Sequence, residues 1–134
     1  MPKKDPSELI AAAIAVSRNA VSPYSGIRVG VALRSEGGKI VTGANVESVS
    51  YGLTCCAERV ALFAALSQGF RRFTGLGLVS SVNPQLVPCG ACRQLLVEYA
   101  PGIRIWCASI DDPERVDEYG LDDLIPNALV RLPG

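Results

Sequence analysis

The chain has 134 residues, enough to bury a core as one domain over residues 1–134 and too few for two of ordinary size. It is 49% apolar and 19% charged, too hydrophobic for a disordered chain. Its 13 basic and 13 acidic residues balance, and Lys or Arg never run beyond pairs, which excludes the basic footprint of a nucleic-acid binder and points to small substrates.

Lys3 and Lys4 ahead of "LIAAAIAV" imitate a targeting signal, but Asp5 and Glu8 break the junction and Arg18 follows the run. The pattern predicts instead an amphipathic helix, N-capped by Asp5 or Ser7, with Leu9, Ala12, Ala13, Val16 and Ala20 on one face. "SPYSG" (22–26) is a Pro/Gly turn, and "IRVGVAL", "SEGG" and "KIVTGANV" read as strand, turn and strand of a hairpin. Ala57, Val60, Ala61, Ala64 and Ala65 predict a closely packed helix from about Cys56 to Ser67, closed by Gly69. "GLGLVSSV" is a buried strand, Pro88 opens a helix through Tyr99, and "PGIRIWCASI" is a stop followed by a strand. "DEYGLDDLIPNAL" is expected to end in a short helix. The order α-β-β-α-β-α-β predicts helices on both faces of a mixed sheet. No apolar run approaches the roughly 20 residues that cross a bilayer, so no membrane partner is expected and the cytoplasm is the expected compartment.

In that reducing compartment, five cysteines suggest metal or thiol chemistry rather than disulfides. The absence of histidine removes Ser-His and Cys-His catalysis and histidine metal ligands. In "VPCGACRQ", Pro88 sets Cys89 and Cys92 around the first turn of a helix, where the positive end of the helix dipole favours thiolate, the form that binds zinc. The same C-x-x-C spacing also suits a redox dithiol, although it lies far from any N-terminal βαβ unit. "TCCAERV" (54–60) puts further cysteines at a helix start. Three thiolates converging from the two helix starts would leave the fourth position of zinc open for water, as in a catalytic site.

Cys-Ala-Glu followed by Pro-Cys-x-x-Cys resembles the zinc-dependent cytidine deaminase family. "SPYSGIRVGVAL", "GANVESVSYGLTCCAER" and "PCGACRQLL" look like its signature blocks in the family order, and "LDDLIPNAL" resembles its C-terminal segment. The resemblance implies a three-layer α/β/α fold with a mixed sheet of about five strands, one zinc per subunit, a homotetramer, and hydrolytic deamination of cytidine and deoxycytidine in pyrimidine salvage. It implies Cys56, Cys89 and Cys92 as zinc ligands, with Cys55 left to packing, as Cys107 is inside its strand. Glu58 becomes the general acid/base; a solvated helix carboxylate is its plain alternative. Arg59 would hydrogen-bond the cysteine sulfurs, against the reading of an ordinary surface arginine. Asn45 and Glu47 would hold the sugar hydroxyls or cap a loop, the Ala57 N–H would meet the pyrimidine carbonyl, and Tyr51 would line the site, an interface or the core. Ser48 stands where the family commonly has Asn. Ile27 and Leu129 occupy positions where family aromatics flank the base, which makes a modified cytosine nucleoside of the blasticidin type, or a related amino-heterocycle, the runner-up substrate. A non-catalytic zinc module would need a fourth ligand from Cys55 or Cys107.

Overall fold

A computed structural model describes residues 6–133. Helix α1 (Ser7–Ser17) precedes the hairpin β1 (Val29–Ser35) and β2 (Ile40–Ala44). A 3₁₀ turn (Tyr51–Leu53) leads to α2 (Ala57–Ser67), followed by β3 (Phe73–Ser80), α3 (Gly90–Tyr99), β4 (Arg104–Ser109), β5 (Asp112–Gly120) and α4 (Leu121–Leu124). The strands form one mixed sheet in the order β2-β1-β3-β4-β5, in which only β3 and β4 run parallel.

Alternation along the central strands creates the three layers. Val31, Leu33, Leu76, Leu78, Ile105 and Cys107 point to one face, where they pack with Ala57, Ala61, Leu62 and Ala65 of α2 and Leu96 and Val97 of α3. Their neighbours Ala32, Val79, Trp106 and Ala108 point to the other face and meet Leu9, Ile10 and Ala13 of α1. The expected sandwich is present, with the first helix alone on its side.

Four local readings need correction. Asp5 lies outside the described residues, as do Lys3 and Lys4, and the N-cap of α1 is Pro6, with Ser7 the first helical residue. The buried stripe of α1 is Leu9, Ile10, Ala13 and Ser17, while Val16 is half-buried and Ala20 lies beyond the helix. The choice of Ser17 over Val16 follows from a close approach to β1: a Cβ on Gly30 would fall 2.0 Å from the Ala13 carbonyl oxygen and 2.9 Å from Ser17 Cβ. Only small groups fit there, and the Ser17 hydroxyl is satisfied by donating to the Ile14 carbonyl at 2.6 Å. Pro88 is buried just before Cys89, the N-cap of α3, rather than inside the helix. Finally, "DEYG" ends strand β5, and the helix after it is the single turn Leu121–Leu124 rather than a helix at the end of that stretch. β5 is a largely exposed edge strand in which Val116 is the one aliphatic side chain besides Pro113, so it carries no apolar alternation to read. Trp106 and Arg104 secure it by donating to Glu118, at 2.6 and 2.8 Å.

One contact fixes α2 against the sheet. A Cβ on Gly43 of β2 would lie 2.5 Å from the Ala61 nitrogen and 2.9 Å from the Ala57 carbonyl oxygen. The helix that comes after β2 therefore rests on bare backbone, and its first turn is held at the end of the strand from which it departs.

Candidate metal centre and adjoining cleft

Two loops lead to two helix starts. After β2, Val46 and Cys55 form an isolated antiparallel bridge, their N–H groups donating to each other's carbonyls at 3.0 and 2.8 Å. That bridge returns the loop and delivers Cys56 as the N-cap of α2. After β3, the loop over residues 81–89 is pinned where Leu86 N–H donates to Ser80 Oγ at 3.2 Å, and it ends at Cys89, the N-cap of α3. Cys92 sits one turn further on and is fully buried.

The three sulfurs converge within 4.8 Å of one another, with Cys56–Cys89 at 3.9 Å and Cys89–Cys92 at 3.2 Å. Tetrahedral zinc with thiolates at about 2.3 Å needs sulfurs about 3.8 Å apart, so the two separations bracket the required spacing. The donor set fits zinc, and both helix N-termini point their partial positive charge at the thiolates. Among the described residues this is the one His/Cys/Asp/Glu group with metal-holding geometry. Cys55 lies outside this group, its backbone paired with that of Val46, and Cys107 is buried in β4, its thiol pushed up to about 12 chiefly by burial. Neither completes a fourth corner, so the closed structural site considered from sequence is not formed.

Charge is distributed unevenly across the thiols. Cys56 is pushed down to about 5, first by a hydrogen bond from Cys92 and then by the guanidinium of Arg59, against the opposing effect of burial. Cys92 is pushed up because it keeps the proton of that bond and is buried. Arg59 donates through Nη2 to the Thr54 carbonyl at 3.0 Å and to Cys56 Sγ at 3.7 Å, which makes it a neighbour of the thiolate rather than a surface arginine. Its Nε is buried without a hydrogen-bond partner among the described residues.

Glu58, two residues after Cys56, is only 5% exposed. Burial raises its carboxyl above the ordinary carboxylate range, and the Cys56 thiolate adds to the effect. This is not a solvated helix carboxylate. Ala57, the first residue of α2, is completely buried, and its N–H is among the helix-start amides that lack an intrahelical acceptor.

A cleft of about 450 Å³ is lined by Tyr24, Ser25, Glu47, Ser48, Tyr51 and Thr54. Thr54 joins it to the sulfur cluster, since its carbonyl accepts from Arg59 while its hydroxyl accepts from Ser48 N–H at 3.0 Å. Glu47 faces the cleft and accepts from the N–H groups of Tyr24 and Ser25 at 3.0 and 3.1 Å and from the Ser25 hydroxyl. These bonds, the Ser25 hydroxyl foremost, hold its carboxyl below the ordinary range. Asn45 is buried and spans the start of β1: its Oδ1 accepts from Val29 N–H and its Nδ2 donates to the Ile27 carbonyl, both at 2.9 Å. Tyr51 is 80% exposed at the cleft rim and not in the core. Ile27 is half-buried beside the same turn. Leu129 is exposed on the C-terminal segment, where its carbonyl accepts from Gln94 at 2.7 Å, and it does not line the cleft.

Sequence reasoning did not single out Tyr24, Ser25 or Thr54. "SPYSG" signals a turn, and nothing in its spacing indicates that the turn folds onto a carboxylate 22 residues away.

The profile described as the cytidine and deoxycytidylate deaminase zinc-binding region matches residues 3–108. The chain is 38% identical over 125 residues to a cytidine deaminase of Halalkalibacterium halodurans, covering 92% of this chain and 93% of that protein. It is 40% identical over 132 residues to a cytidine deaminase of Mycobacterium tuberculosis, covering 92% and 96%. The crystal structure of cytidine deaminase from Burkholderia pseudomallei superposes with a TM-score of 0.88 at 38% identity, over 94% of this chain and all of that one. A blasticidin-S deaminase of Bacillus cereus is 33% identical over 81 residues, or 54% of this chain.

Proposed function

The chain belongs to the cytidine and deoxycytidylate deaminase family, and on that premise we propose how its own residues divide the work. The reaction is the zinc-dependent hydrolysis of the cytosine amino group of cytidine or deoxycytidine, releasing ammonia and the uracil nucleoside. The observation that carries the assignment of roles is the convergence of Cys56, Cys89 and Cys92 from two helix starts, with the buried carboxyl of Glu58 two residues from the first.

Cys56, Cys89 and Cys92 would hold one zinc, a three-ligand set of the kind found in catalytic rather than structural sites. When bound, zinc is a Lewis acid that brings the pKa of water to about 7, so the nucleophile forms near neutral pH. Glu58 moves the protons: a carboxylate oxygen takes one from the nucleophilic water and passes it to the ring nitrogen, then takes the second from the hydroxyl now bonded to the ring carbon and delivers it to the departing amine. Burial raises this carboxyl above its ordinary range, which makes it a stronger base than a solvated carboxylate. Arg59 offsets the negative charge of the thiolates by donating to Cys56. The Ala57 N–H orients the pyrimidine carbonyl, Glu47 and Asn45 address the sugar, and Tyr51, Ile27 and Leu129 contact the nucleoside, Leu129 from a neighbouring subunit.

We further propose that residues 1–134 act as one catalytic domain in a cytoplasmic homotetramer serving pyrimidine salvage. Exposed apolar side chains at Val49, Tyr51, Leu53, Leu129 and Leu132 support packed subunit faces, and among the described residues no helix is long and apolar enough to cross a membrane. The test is ammonia release by zinc-loaded protein from cytidine, deoxycytidine and modified cytosine nucleosides. Glu58→Ala is expected to keep its zinc and lose at least ~10²–10⁴-fold in rate; normal deamination by that variant would refute the role of Glu58.

A further inference from the structure

Glu47 reaches the cleft in a fixed state. An ionised carboxylate offers about four acceptor sites, and the turn preceding β1 takes three of them: the Tyr24 and Ser25 N–H groups on Oε1 and the Ser25 hydroxyl on Oε2. Ser25 Oγ in turn accepts from Ile27 N–H at 3.0 Å, so its proton is directed at Glu47 rather than free to rotate. Asn45 clamps the next two peptides from the other side, through the Ile27 carbonyl and Val29 N–H. The carboxylate and the turn therefore form one preassembled wall, although they are 22 residues apart in sequence.

We propose that Ser25 is a positioning residue for substrate recognition: it orients Glu47 so that Oε2 presents a single remaining acceptor to one sugar hydroxyl. The inference rests on the reading of Glu47 as the sugar contact. Without the Ser25 hydroxyl, Oε2 loses the bond that fixes its direction, and the carboxylate can swing while keeping its backbone contacts. Threonine, which retains the hydroxyl, restores the bond.

The experiment compares kcat/KM of the zinc-loaded protein for cytidine, 2′-deoxycytidine and 3′-deoxycytidine in wild type, Ser25→Ala, Ser25→Thr, Glu47→Gln and the Ser25→Ala/Glu47→Gln double variant. Zinc content and thermal melting are measured on each. In the wild type, loss of one hydroxyl is expected to cost about tenfold or more, the scale of a hydrogen bond to a charged group, and loss of the other little. Ser25→Ala should erase most of that discrimination through KM, Ser25→Thr should restore it, and the double variant should discriminate no worse than Glu47→Gln alone. Should Ser25→Ala fold poorly, Ser25→Thr still decides: loss of the wild-type discrimination in that variant, with zinc content and melting unchanged, would overturn the positioning role. Full discrimination in Ser25→Ala, or an effect additive with Glu47→Gln, overturns the positioning role. If Glu47→Gln itself leaves the hydroxyl preference unchanged, the assignment of Glu47 to the sugar fails, and the proposal with it.

Discussion

Replacing Gly43 by alanine tests whether the metal centre depends on how tightly α2 rests on β2. The added methyl would sit 2.5 Å from the Ala61 nitrogen, 2.9 Å from the Ala57 carbonyl oxygen and 3.0 Å from Ala61 Cα. All three are main-chain or Cα positions inside a helix, so no side-chain rotation relieves the clash. Reaching ordinary contact requires α2 to withdraw by roughly 0.9 Å, or β2 to bend by as much, and a forced shift of this kind in a packed core costs about 1–3 kcal/mol. Alanine recovers about 0.4–1 kcal/mol by restricting the unfolded chain, which leaves a net loss centred on about 1.3 kcal/mol and of about 2.6 kcal/mol at most. For a chain of this length that corresponds to a melting temperature lower by about 3–10 °C. The same displacement carries Cys56 and Glu58 away from Cys89 and Cys92, whose sulfurs now lie within 4.8 Å of that of Cys56, so zinc affinity should fall as well. The assay is thermal unfolding with and without a chelator, together with zinc competition against a chromophoric ligand. Gly37→Ala is the control, because a Cβ there meets nothing within 4 Å. A Gly43→Ala protein that melts with the wild type and holds zinc equally would refute the claim that this contact sets the site.

The cysteines should separate cleanly. Cys89→Ala is expected to lose zinc and activity together, by metal analysis and ammonia assay, whereas Cys55→Ser should keep one zinc per subunit and near-normal turnover because its contribution is the backbone bridge to Val46. Arg59→Ala should cost about 10–100-fold in metal affinity or rate. In metal-free protein the same change should raise the pH at which Cys56 ionises from about 5, monitored by thiolate absorbance, since one of the bonds favouring the thiolate is gone. Glu47 has a lowered folded-state pKa, so its bonds to the turn stabilise the protein above the unfolded value near 4.5 and are lost as pH falls through the folded value. Melting curves of wild type and Ser25→Ala should therefore converge on acidification below that range.

The layers of this fold were legible because the central strands alternate and α2 repeats small residues at helical spacing. Those patterns come from burial on a defined face, so they survive in one sequence without comparison. β5 was invisible for the converse reason: as an exposed edge strand it holds to the sheet through main-chain pairing and the bonds of Glu118 to Trp106 and Arg104, which leave no hydrophobic signature. The stripe on α1 was misread at its C-terminal end because the selecting contact is a glycine backbone on another element. Helical periodicity cannot see that Gly30 admits Ser17 and not Val16.

The two halves of the site differ in the same way. Cys56, Glu58, Cys89 and Cys92 stand at or within one turn of helix starts, where local sequence fixes both the turn and the direction of the side chain. Spacing alone marked Cys89 and Cys92 as a metal or redox pair, and the family resemblance singled out Cys56 and Glu58; the helix starts supply the geometry that brings all four together. The half formed by the adjoining cleft has no such frame. Glu47 lies in a loop, and the groups that hold it come from a turn on the far side of β1. Asn45 illustrates the consequence. Sequence assigned it to the sugar or to a loop cap, and the structure commits one donor and one acceptor of its carboxamide to the backbone of residues 27–29. The shape of the cleft thus depends on the turn before β1 staying seated against the loop after β2. Specificity in this protein should consequently respond to changes in that turn, while zinc binding, built on the two helices, should not.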